Sequence, residues 1–223
     1  MRRFLRENSL SLGFGIAFLA ALAGQSYAGY LDNNSELAAH HEPLLSYGRY
    51  LVSSEFGAAV MENWQSEYLQ FTLYIVATVW LLQRGSNESK PLDEAGFESD
   101  EQEKLGAHAS PRSPRWARAR GWRRHLYSNS LGLLMGFLFF GSWLAESLGA
   151  WTQYNDNQAA HMEATVSWLT YVGTADFWER SLENWQSELL AVGSMAVFTI
   201  YLRQRGSPES KPVGAPHDQT GSS

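Results

Sequence analysis

Cysteine is absent from this 223-residue chain, which excludes disulfide staples, thiolate metal sites and a cysteine nucleophile. Basic residues are outnumbered, with 17 Lys and Arg against 23 Asp and Glu. The resulting charge of -6 and pI near 5.5 exclude a general nucleic-acid binder, which needs a basic surface to meet phosphates. The sequence also lacks a Gly-rich phosphate loop, a GxSxG elbow, a supported Ser-His-Asp arrangement and an HExxH pair. No uninterrupted 20-residue apolar run exists, and the mean hydropathy is -0.29. That average hides a strong segregation along the chain.

Aromatic residues reach 13%, with nine Trp, and apolar residues gather in four runs: 9–24, 68–82, 131–145 and 189–202. Counting the Trp, Tyr and small polar residues at its ends, each run extends to roughly 18–21 residues, enough to cross a ~30 Å hydrocarbon core. The expected fold is therefore all-α, a four-helix transmembrane bundle.

The hexapeptide ENWQSE occurs at 62–67 and again at 183–188. Sliding the chain over itself by 121 positions aligns 2–91 with 123–212 without a gap, with about 36 of 90 pairs identical. Shared landmarks include Arg2-Arg3 with Arg123-Arg124, His40 with His161, Tyr50 with Tyr171, and QRGSNESKP with QRGSPESKP. The chain thus reads as two copies of one helical hairpin: a first two-span repeat (1–91), a linker (92–122), a second two-span repeat (123–212) and a low-complexity tail (213–223). The start of the chain, with its basic residues, apolar stretch and Ser26-Tyr27-Ala28 ending, resembles a cleavable signal peptide. The same segment recurs internally at 123–150, which favours a retained helix.

Charge sets the expected topology. If the four runs span, 15 of the 17 basic residues fall on the side holding both termini and the 84–124 connection, leaving Arg49 and Arg180 opposite. The positive-inside rule then places both termini in the cytoplasm of a bacterial inner membrane, with the copies inserted in the same orientation as a parallel repeat. The linker is acidic first (DEAGFESDEQEK) and basic afterwards (SPRSPRWARARGWRR). The acidic part and the tail read as disordered. The basic part suits a solvated tether with stop-transfer charge or contact with anionic headgroups.

Ser53 and Thr174 are placed as helix N-caps, with Glu55 and Asp176 at the positive helix end. From there a helical pattern runs through ENWQSE into the apolar run, with Gly85 and Gly206 as left-handed stops. Glu67 lies 17 residues from Arg84, about 25 Å along a helix, and Gln25 lies at a similar depth of about 24 Å from Ser9. Gln25, Glu67, Glu146 and Glu188 are therefore expected in one polar layer near the outer leaflet, with Asn63 and Asn184 a turn above the glutamates. Such a layer either hydrogen-bonds the hairpins together or binds a proton or cation.

His40, Glu42, His161 and Glu163 form a His-x-Glu in each outer segment and are candidate metal ligands, although an i,i+2 pair on a helix points apart. Gly132 and Gly136 form a GxxxG, and Gly13, Ala17 and Ala21 a small-residue row, both suited to close helix contact within or between chains.

NWQSE followed by an apolar span and RGSxESK, behind a Gln-containing first helix, resembles an uncharacterised family of small bacterial integral membrane proteins, a domain of unknown function. The resemblance covers both repeats and implies a bacterial membrane protein without implying an activity, cofactor or catalytic residue. The leading expectation is a membrane protein of structural or interaction type, in contact with the lipid bilayer and able to form a homo-oligomer. Proton- or cation-coupled transport or sensing, and a metal-dependent membrane enzyme, are the alternatives.

Overall fold

The computed structural model describes residues 1–221. Among these residues there are eight α-helices, two short 3-10 turns (Gly106–His108 and Arg115–Arg118) and no strand. The helices are α1 (Arg2–Glu7), α2 (Ser9–Ala39), α3 (Tyr47–Tyr50), α4 (Ser54–Ala77), α5 (Trp122–Ser128), α6 (Ser130–Ala160), α7 (Trp168–Tyr171) and α8 (Ala175–Tyr201). Both α2 and α6 are 31 residues long, and their bounds differ by the 121-residue offset.

Of the four expected spans, α2 and α6 are long and apolar enough to cross a membrane. They do not have the burial of soluble core helices: 6% of the apolar window of α2 and 22% of that of α6 are buried. The other two helices do not meet that measure, so a four-span bundle is more than length and composition support. The reason is local. The N-terminal portions of α4 and α8 carry Glu55, Glu62 and Glu67, and Asp176, Glu179, Arg180, Glu183 and Glu188.

Both helices also stop earlier than expected. α4 ends at Ala77, within a stretch rich in β-branched residues, which restrict helical rotamers. The Val79 carbonyl beyond it accepts from Gly96 N at 2.7 Å instead of continuing a helix. α8 persists to Tyr201 because Arg203 Nη1 caps its end, donating to the carbonyls of Thr199, Ile200 and Leu202. Leu82 occupies the equivalent place after α4 and cannot do this.

Gly85 and Gly206 do adopt left-handed φ values of 81° and 82°, but in separate turns beyond the helices. Each closes Gln-Arg-Gly-Ser: Ser86 N donates to Gln83 O, and Ser207 N to Gln204 O. Ser89 and Ser210 Oγ then accept from the Gln83 and Gln204 amides, both at 2.9 Å.

The chain divides into two compact units. The first joins Met1–Val60 with Ala145–Trp168. Its core contains Tyr50, whose ring lies 5.5 Å from Phe56 and 6.1 Å from Tyr30, and Ser26, whose hydroxyl meets Tyr47 Oη at 2.7 Å. Two asparagines pin the loops after the long helices. Asn34 makes a two-point bond to the Leu45 amide and carbonyl, and Asn155 the same bond to Val166. Gly149 allows α6 to approach α4, since a Cβ there would lie 2.8 Å from the Ala58 Cβ.

The second unit comprises Met61–Leu144 and the chain from Leu169 onward. Trp143 is the hub of its aromatic core, 5.2 Å from Trp185 and 5.7 Å from both Phe139 and Phe177, with its indole N–H on Ser181 Oγ. In the linker, Lys90 pairs with Glu98 and donates to the Gly96 carbonyl at 2.8 Å, while Arg124 meets Asp100 at 3.0 Å. Residues 213–221 return to the loop around Gly85 and Ser86, where Gly85 N donates to Thr220 Oγ1 and Gly221 N to Ser86 O. Lys211, 2% exposed, directs its ammonium at the carbonyls of Gly85, Pro216, His217 and Gln219, and burial lowers its pKa. Four carbonyl dipoles compensate a cation that would otherwise be costly to bury.

Candidate functional site

The site is built where α4 and α8 present their ENWQSE segments. Both helices begin on a hydroxyl cap: Ser53 Oγ accepts from Phe56 N at 3.2 Å and Thr174 Oγ1 from Phe177 N at 3.4 Å. Helical spacing then puts Glu62, Gln65, Ser66 and Leu69 on one face of α4, and Ser181, Asn184, Trp185 and Glu188 on one face of α8.

The two copies bond to each other. Asn184 Nδ2 donates to Glu62 Oε1 at 3.0 Å, Trp185 Nε1 to Gln65 Oε1 at 2.7 Å, and Ser66 Oγ makes a long 3.5 Å contact to Glu188 Oε1. Each pair joins residues 120 to 122 positions apart, so the helices meet in the register of the sequence offset. Gln65 is 1% exposed and Ser66 is buried, whereas their counterparts Gln186 and Ser187 are exposed. An indole nitrogen only donates, so it fixes the Gln65 carboxamide with its oxygen toward Trp185. The amide nitrogen is then buried without an acceptor among the described residues.

The residues expected in the polar layer differ in burial and are divided between the two units. Gln25 is exposed on α2 and Glu146 is buried on α6, both in the first unit. Glu67, exposed, and Glu188, half-buried, belong to the second unit. Asn184 bonds across to Glu62, while Asn63 is exposed. Arg180 lies 3.6 Å from Asp176, one turn back on its own helix.

His40 and His161 each close the end of a long helix. Their Nδ1 atoms lie 3.0 Å and 2.8 Å from the carbonyls of Glu36 and Asn157. Glu42 and Glu163 are exposed beyond them. Among the described residues no three His, Asp or Glu side chains gather as a metal site. Sequence reasoning weighted the charged members of the hexapeptide and passed over Gln65, Ser66 and the indole of Trp185 as bonding partners. The repetition of the whole hexapeptide was the available signal.

The profile of the domain of unknown function DUF6766 matches residues 1–222. The chain belongs to that family. No curated protein and no solved structure matches it. Family membership therefore assigns an uncharacterised domain, and the chemistry must be argued from the site.

Proposed function

We propose that the chain is an integral membrane protein of structural or interaction type, in which the paired hexapeptides fasten one hairpin copy to the other. The observation that carries this reading is the set of Glu62–Asn184 and Gln65–Trp185 bonds, which tie acidic and amide groups to partners of their own. Partly buried interhelical bonds of this kind act as connectors between membrane helices. The exposed apolar side chains of α2 and α6, such as Phe14, Ile16, Phe137 and Phe140, suit contact with lipid tails. We further assign the protein to a bacterial inner membrane with both termini cytoplasmic, the basic end of the linker on anionic headgroups, and a homo-oligomer as its assembly.

Two measurements test this. Glu67→Gln and Glu188→Gln, singly and together, leave expression, folding and any cellular phenotype near the parent level; loss of phenotype with normal expression would overturn the clamp reading. Because the chain has no cysteine, single cysteines at Asp32 and Glu101 report topology cleanly. An impermeant maleimide on intact cells labels the first and spares the second, and the reverse pattern would refute the orientation.

A second reading, proton- or cation-coupled transport or sensing through Glu67 and Glu188, draws on the α4–α8 contact that brings Ser66 Oγ, next to Glu67, within 3.5 Å of Glu188 Oε1. Reconstituted vesicles then pass protons or cations in the parent and lose that flux in Glu188→Gln.

A further inference from the structure

The repeated RGSxESKP loops place two equivalent carboxylates on one cavity, away from the hexapeptides. Glu88 and Glu209 are 121 residues apart and follow the matched turns described above; their amides donate to Ser86 and Ser207 Oγ at 3.1 and 3.2 Å. Both line a cavity of about 270 Å³ in the second unit, whose walls are Phe71, Tyr74, Val192 and Met195. Gln70 adds its carboxamide. Neither glutamate forms an ion pair among the described residues, and Oε1 of Glu88 is fully buried without a hydrogen-bond partner.

We propose that this cavity binds a monovalent organic cation, a protonated amine or quaternary ammonium carrying an apolar group. Charge supplies the first argument: two carboxylates without cationic partners attract a cation and repel an anion. Carbon supplies the second. The walls are largely aromatic and aliphatic, which suits an apolar substituent, and the Phe71 and Tyr74 rings attract an ammonium. A hard divalent ion is a poorer match, because Ca²⁺ seeks about six to eight oxygens and Mg²⁺ an octahedron of them.

The surrounding charges agree. Lys90, on the same loop as Glu88, is engaged by Glu98 and the Gly96 carbonyl. Glu98 itself lines an adjoining cavity that Glu88 shares. From α4 the only titratable neighbour in the lining is Tyr74, and α8 contributes none. Burial, and then the charge of Glu209, raise the Glu88 carboxyl above the ordinary range. A bound cation favours the charged carboxylate, so uptake releases protons and weakens as the pH falls.

The test is calorimetric titration of the full chain in lipid nanodiscs with benzyltrimethylammonium, using neopentylbenzene as its neutral carbon isostere. One saturable site is expected, insensitive to the neutral isostere and weaker at acid pH. Glu209→Gln, an exposed substitution that spares the fold, weakens binding by about tenfold, as loss of one charged contact should. Glu88→Gln weakens it at least as much. Absence of saturable binding, affinity unchanged from the parent in both variants, competition by the neutral isostere or pH independence would each overturn the proposal. Stoichiometric Ca²⁺ uptake that disappears in Glu209→Gln would replace it with a metal site.

Discussion

The indole of Trp185 donates to the carboxamide oxygen of Gln65 at 2.7 Å, and the two residues come from the two copies of one hexapeptide. Gln186 has the same neighbours in sequence as Gln65, yet it is exposed while Gln65 is almost fully buried. One hexapeptide, occurring twice, thus serves two different uses across one helix pair.

Substitution separates those uses. Gln65→Leu removes the acceptor of the Trp185 N–H, and a buried group stripped of its partner costs about 1–3 kcal/mol. Gln186→Leu, on an exposed position, changes stability by about 0.5 kcal/mol or less. Thermal unfolding of the two variants in the same detergent checks this, and equal losses would contradict the pairing.

Glycine at 149 is required by a neighbour. A Cβ there would meet Ala58 at 2.8 Å and the Ser54 carbonyl at 3.2 Å, so Gly149→Val overpacks the contact by about 1–3 kcal/mol. Gly13 stands in the apolar part of α2 with nothing within 4 Å. Gly13→Ala therefore gains about 0.5–1 kcal/mol of helix propensity. Opposite shifts in unfolding temperature are expected, and a loss in both variants would imply a contact at Gly13.

The raised pKa of Glu88 makes a prediction with a definite sign. Its folded value lies above its unfolded value, so between the two the native state holds more protons than the unfolded state. Stability contributed by this group is present below the unfolded pKa and falls as pH rises through the folded one. Glu88→Gln stays neutral, removes that slope and is more stable than the parent above the window. Unfolding curves from about pH 4 to 8, starting near the ordinary carboxyl range, measure it. A parallel pH dependence in both proteins would rule out Glu88 as its source.

Much of the local structure was legible in the residues. Ser53 and Thr174 cap the helices as their type and position suggest, and Gly85 and Gly206 take the left-handed conformation that glycine allows. The ends of α4 and α8 were not legible, because Arg203 stabilises one helix end by reaching back to its carbonyls and the other copy has leucine there. Likewise, His-x-Glu suggested ligands, yet His40 and His161 turn Nδ1 onto carbonyls of their own helices.

What the sequence determined by itself is set by short-range physics: helical periodicity, apolar segregation, hydroxyl caps and turns that need glycine. These depend on residues within a few positions of one another. Tertiary structure alone decided which glutamine of two is buried, which carboxylates share a cavity and which amide meets which acid. Those are properties of neighbours brought together from about 120 residues away, and identical hexapeptides acquire different burial because the surfaces facing them differ.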